Sequence, residues 1–82
     1  MNLLLLGTSG CHLCEQAEEI INTALCFESD IQIIAIDIAE HTQWQQNYAT
    51  LIPVLLREES GQALSWPFSH NQVINFFETL TL

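Results

Sequence analysis

Read along its hydrophobic and polar positions, the chain opens on Leu3-Leu4-Leu5-Leu6, an unbroken apolar run of the kind a strand covered on both faces produces. From Cys11 onward the period changes. Leu13, Ala17, Ile20, Ala24 and Leu25 recur at steps of three or four, which predicts a helix with one apolar stripe, Leu13 included. Glu15, Glu18 and Glu19 open that helix on its other faces, and its end is expected between Cys26 and Asp30. Ile31 to Ile36 is β-branched and nearly continuous, predicting an interior strand parallel to the first. A short second helix is expected to begin near Ala39 or Glu40, with Ile38, Trp44 and Tyr48 inward. Pro53 to Arg57 and Ala63 to Trp66, separated by a turn at Glu58 to Gln62, read as a hairpin with proline at its first position. Ser69 and Gln72 form a capping box for a last helix whose inner face is Val73, Phe76, Phe77 and Leu80. The order is β-α-β-α-β-β-α, an α/β chain expected to form one domain over 1–82 with a four-stranded mixed sheet and helices on both faces.

Composition narrows the function. Ten acidic residues stand against a single basic one, Arg57, giving a formal charge of −9. Nucleic acids and anionic membrane surfaces bind through Lys/Arg clusters, so neither is an expected partner. MNLLLL lacks the basic n-region of a signal peptide, and no stretch approaches the roughly 20 apolar residues of a membrane span. A soluble cytoplasmic protein is the expectation, and there a close cysteine pair points to catalysis or metal binding rather than a disulfide scaffold.

That pair is Cys11-His12-Leu13-Cys14, placed where a parallel strand gives way to a helix. The first helical N–H groups have no intrahelical partner, and a sulfur at that end meets them and the positive end of the peptide dipoles. Thiolate is favoured over thiol there, and thiolate is the nucleophile. Cys11 is therefore expected to attack, and Cys14, one turn on and more buried, to resolve the mixed disulfide. His12 is a candidate to modulate the Cys11 sulfur. Glu15, four residues past Cys11, opposes the thiolate as a like charge. Cys26 is expected to pack as a small hydrophobe, and His41 and His70 to be surface side chains. Asp37 reads as a helix-start or turn residue. Trp66 or Phe68, in a loop with Pro67 and Ser69, is placed to line an apolar groove beside Cys11.

Gly10-Cys11-His12-Leu13-Cys14-Glu15, Ile36-Asp37-Ile38, Ile52-Pro53-Val54-Leu55 and Leu64-Ser65-Trp66-Pro67-Phe68 together resemble the bacterial glutaredoxin-like small proteins of the thioredoxin superfamily, from about Leu3 to about Leu80. The resemblance implies a thioredoxin-like fold, an exposed nucleophile at Cys11, a resolving Cys14, and a cis Ile52-Pro53 bond facing the disulfide. It also implies that the Ile52 backbone hydrogen-bonds a substrate chain running past Cys11; Ile52 and Pro53, with Trp66 or Phe68 from the loop, are the expected substrate-binding residues. Two departures bear on the partner. Ser9 stands where glutathione-using members carry a basic residue, and Trp66 to Ser69 occupies the place of their glycine-rich turn. The expected partner is a protein or small-molecule disulfide; glutathione carries two carboxylates, so an extended apolar or neutral peptide, or a protein with a basic rim, is expected ahead of it.

The expected function is thus dithiol–disulfide exchange by a monomer, with no cofactor. Two alternatives from other classes stay open at this level. Two subunits pooling their CxxC motifs would hold zinc or an Fe-S cluster, although one chain lacks a second ligand pair. A redox-inactive thioredoxin-like adaptor would carry the same cysteines idle.

Overall fold

The computed structural model describes residues 1–26 and 30–80. Strand β1 (Asn2–Gly7) leads into helix α1 (His12–Leu25), strand β2 (Gln32–Asp37), a single 3₁₀ turn (Ile38–Glu40) and helix α2 (Thr42–Tyr48). Strands β3 (Val54–Arg57) and β4 (Gln62–Ser65) follow, then helix α3 (His70–Leu80). The sheet order is β2-β1-β3-β4, with β1 and β2 parallel and the other two pairings antiparallel. This is the thioredoxin-like β-α-β-α-β-β-α topology.

The four-leucine run explains why β1 sits inside the sheet. Side chains alternate across a strand, so Leu3 and Leu5 face one side and Leu4 and Leu6 the other. On the first side they join Ala17, Ile21 and Ala24 of α1 and Val73, Phe77 and Leu80 of α3. On the second they meet Val54, Leu56 and Ile38, with Trp44 and Tyr48 of α2 packed alongside. Two cores share one central strand.

Several expectations are corrected. β2 is an edge strand, not an interior one: β1 takes the central place because the β3–β4 hairpin adds to its other side. An unbroken apolar run reports which faces are covered, not which neighbours are paired. The short α2 leaves Ile34 43 % exposed on that edge. Leu13 lies 44 % exposed: it shares the face of Ala17, Ile21 and Ala24 but stands in the first turn of α1, ahead of the first buried position. Cys26 is exposed at the C-cap, its Sγ directed at the Asn22 carbonyl rather than into the core. The expected end of α1 falls partly on 27–29, outside the described residues. α2 starts at Thr42, because Asp37 caps the preceding 3₁₀ turn: Ala39 N donates to its Oδ1 at 2.9 Å.

At the other end of the chain the capping box is formed. Gln72 N donates to Ser69 Oγ at 3.2 Å, and Ser69 N donates to Gln72 Oε1 at 2.7 Å. Phe77 is 2 % exposed, whereas Phe76 is only partly buried against the same cluster.

Candidate functional site

Gly7 ends β1, and four residues later Cys11 caps α1. Gly10 between them has a φ of +74°, a left-handed conformation that side chains rarely adopt, and this turns the chain into the helix. Cys11 itself keeps an extended backbone, and its Sγ accepts a hydrogen bond from Cys14 N at 3.1 Å. One of the orphan N–H groups of the helix start is thereby satisfied by sulfur. The Cα atoms of Cys11 and Cys14 lie 5.2 Å apart and the two residues form a disulfide. Both are half-buried.

Behind the disulfide, β1 makes close contact with Cys14. A Cβ placed on Gly7 would stand 2.8 Å from Cys14 Sγ, so only glycine lets the strand end approach this sulfur. The rest of that sheet edge follows from the register. Gly7 pairs with Asp37 of β2, and Leu6 pairs with Val54 of β3, so the preceding residue, Pro53, continues the ladder toward Gly7. Trp66 N donates to Pro53 O at 3.0 Å. The end of the sheet that carries the cysteines therefore also carries Asp37, Pro53 and Trp66.

The Ile52-Pro53 bond is cis, as the resemblance implied, and Trp66-Pro67 is cis as well. Pro53 is fully buried. Ile52 N donates to Tyr48 O at 3.1 Å, so the N–H of this residue is already paired within the chain. Trp66 is half-buried and stacks edge-on against Phe68 at 5.1 Å, while Phe68 is 5 % exposed within the first core. His12 and Glu15 are both exposed, and His12 Nδ1 lies 3.6 Å from Glu15 Oε2. His41 caps α2 without a side-chain hydrogen bond and tilts against Trp44 at 5.5 Å, and His70 begins α3 on the surface.

A cleft of about 390 Å³ opens on the other flank of the disulfide, between α1 and the end of β2. Its wall includes Cys11, Cys14, Glu15, Glu18 and Asp37, over a floor of Leu5, Ala35 and Ile36. Sequence reasoning missed this cleft and the role of Gly7. Glu18, one turn beyond Cys14 on the same helix, carried a legible signal; the contribution of Ala35 and Ile36 depended on β2 being an edge. Arg57 is remote from all of this. It lies at the far end of β3, its Nη1 donating to Leu80 O at 3.4 Å and its Nη2 3.7 Å from Glu59. Among the described residues, no three His, Cys, Asp or Glu side chains converge on a metal-sized site, and no helix is long and apolar enough to cross a membrane.

The family model for "Glutaredoxin-like domain (DUF836)" matches residues 2–78. Among solved structures, the crystal structure of Northeast Structural Genomics target protein XcR50 from X. campestris is 26 % identical, with a TM-score of 0.78, 94 % of this chain and 96 % of that chain being covered. The solution structure of XcR50 is 28 % identical at a TM-score of 0.76, covering 96 % of this chain and 95 % of that one. Thioredoxin 1 from Thermosipho africanus TCF52B shares the fold at 22 % identity and a TM-score of 0.71, covering 99 % and 94 % of the two chains. No curated protein matches the chain. The chain belongs to the glutaredoxin-like domain family, and its Cys11–Cys14 pair is a thiol–disulfide redox site at a helix N-terminus.

Proposed function

From membership of this family and the placement of its disulfide, we propose that the protein is a dithiol–disulfide oxidoreductase in which Cys11 is the nucleophile and Cys14 the resolving residue. The observation that carries the reading is that Cys11, not Cys14, caps α1 and accepts from a backbone N–H. In the reduced protein the Cys11 thiolate attacks one sulfur of a substrate disulfide. That S–S bond breaks, the first thiol leaves as thiolate and takes a proton from water, and a mixed disulfide remains on Cys11. Cys14, as thiolate, then attacks Cys11 Sγ and releases the second substrate thiol. Two electrons pass from the protein dithiol to the substrate, and the product is the Cys11–Cys14 disulfide.

An extended substrate segment running past Ile52-Pro53 would bond the Ile52 carbonyl, with Trp66 providing apolar contact and the buried Phe68 backing that indole. His12 and Glu15, paired at the helix start, modulate the charge around Cys11. A net charge of −9 favours neutral or basic partners, protein or small-molecule, over glutathione. The domain works as a cytoplasmic monomer over 1–82 in this reading.

The test uses two variants exposed to a neutral disulfide. Reduced Cys14→Ser accumulates a mixed disulfide on Cys11 and stops there. Reduced Cys11→Ser forms none at a comparable rate. A stable adduct on Cys14 in Cys11→Ser, formed as fast as that on Cys11 in Cys14→Ser, would overturn the assignment.

A further inference from the structure

The disulfide has two flanks. In the reading above, one serves the extended segment that runs past Pro53 and Trp66. The other opens on the cleft between α1 and β2, which has no part in that reading and whose volume of about 390 Å³ lies in the range of small-molecule sites. We infer that this cleft receives the non-sulfur end of a cationic, amine-bearing disulfide while Cys11 attacks its sulfur. The inference rests on the oxidoreductase reading and adds the substrate class.

Three features of the cleft select that chemistry. Both reacting cysteines belong to its wall, so a disulfide bound there lies beside its nucleophile. The Leu5 and Ala35 side chains, paired across β1 and β2 on the α1 side of the sheet, offer an apolar floor for a short aliphatic arm. The rim carries three carboxylates, Glu15, Glu18 and Asp37, and no Lys or Arg. The chain's one arginine is held at the opposite end of the sheet by Leu80 O and Glu59. An ammonium group two carbons from the sulfur would therefore find opposite charge at the rim, and a carboxylate in the same place would meet only like charge. The general field of the protein acts in the same sense and steers a cation toward the site.

Reduced protein is mixed in single-turnover reactions with three small disulfides: dicationic cystamine, neutral hydroxyethyl disulfide and dianionic dithiodipropionate. Each rate is divided by that of the same disulfide with dithiothreitol, which cancels intrinsic reactivity. At low ionic strength the normalised rate for the dication should exceed that for the dianion about tenfold, with the neutral compound between. The spread should collapse at about 0.5 M salt, where screening acts within a few ångströms. Glu18→Gln combined with Asp37→Asn should remove at least half of the cation preference; the asparagine keeps the acceptor that Ala39 N uses. Glu58→Gln, an equal charge change in the turn at the far end of the sheet, should leave the preference in place. Equal normalised rates for the three disulfides overturn the inference, as does a preference that Glu58→Gln lowers as much per charge as the rim variants do. In either case brisk reaction with the neutral disulfide leaves the oxidoreductase reading standing. Failure of the neutral disulfide to react overturns both.

Discussion

Gly7→Ala tests the way strand and helix are fitted behind the disulfide. The new methyl would stand 2.8 Å from Cys14 Sγ and 3.4 Å from Cys14 Cβ. Ordinary non-bonded separation is about 3.5–4.0 Å, so the sulfur must retreat by about 0.7 Å or more. Backbone strain adds nothing, because the positive-φ glycines are Gly10 and Gly61, not Gly7. Overpacking of a filled site costs about 1–3 kcal/mol. In a domain of this size each kcal/mol lowers Tm by about 4–8 °C, so the reduced variant should melt about 4–24 °C early. Moving Cys14 away from Cys11 should also slow ring closure, so a mixed disulfide on Cys11 should live longer than in the unsubstituted protein. Gly61→Ala is the control: its φ is +77° with open space around it, so it should lower Tm without prolonging the mixed disulfide. The assays are thermal melts of reduced protein and acid-quenched mass spectrometry of the mixed disulfide. A Gly7→Ala variant that melts and resolves like the parent would refute the contact between β1 and Cys14.

Two predictions concern the last helix. Phe77→Ala removes a ring that is 2 % exposed and should cost about 3–5 kcal/mol, while Phe76→Ala, at a half-buried position, should cost distinctly less; urea melts of the two variants give the comparison. Ser69→Ala deletes the hydroxyl that accepts from Gln72 N and should cost about 0.5–2 kcal/mol, read in the same melts with the cysteine chemistry untouched.

The order of elements was legible because each carries its own period or cap. Leu3 to Leu6 announced a strand buried on both faces, and Ser69 with Gln72 announced a helix start that the backbone uses as expected. Asp37 was likewise readable as a cap, since a short carboxylate after a strand finds a backbone N–H two residues on. What stayed hidden depended on neighbours far away in sequence. Ile31 to Ile36 looked interior, yet edge or centre is decided by where the β3–β4 hairpin attaches. Leu13 fitted the helical stripe by spacing and does share the face of Ala17, Ile21 and Ala24, but it stands in the first turn of α1, ahead of the first buried position. Cys26 is the exposed C-cap, one position past the end of α1, so its apolar character was no guide to burial. The redox pair itself was plain from CxxC at a strand–helix junction. The cleft beside it was not, because its wall joins residues from β1, α1 and β2.

The most direct measurement is the order in which the three thiols of the reduced protein react with sub-stoichiometric iodoacetamide at neutral pH, read by peptide mapping. Accessibility and electrostatics give opposite answers here. Cys26 is exposed, whereas Cys11 and Cys14 are half-buried in the disulfide form, so access alone would label Cys26 first. The account predicts Cys11 first, because it alone sits at the capping position where backbone N–H and helix dipole favour thiolate. Labelling of Cys14 or Cys26 ahead of Cys11 would contradict it.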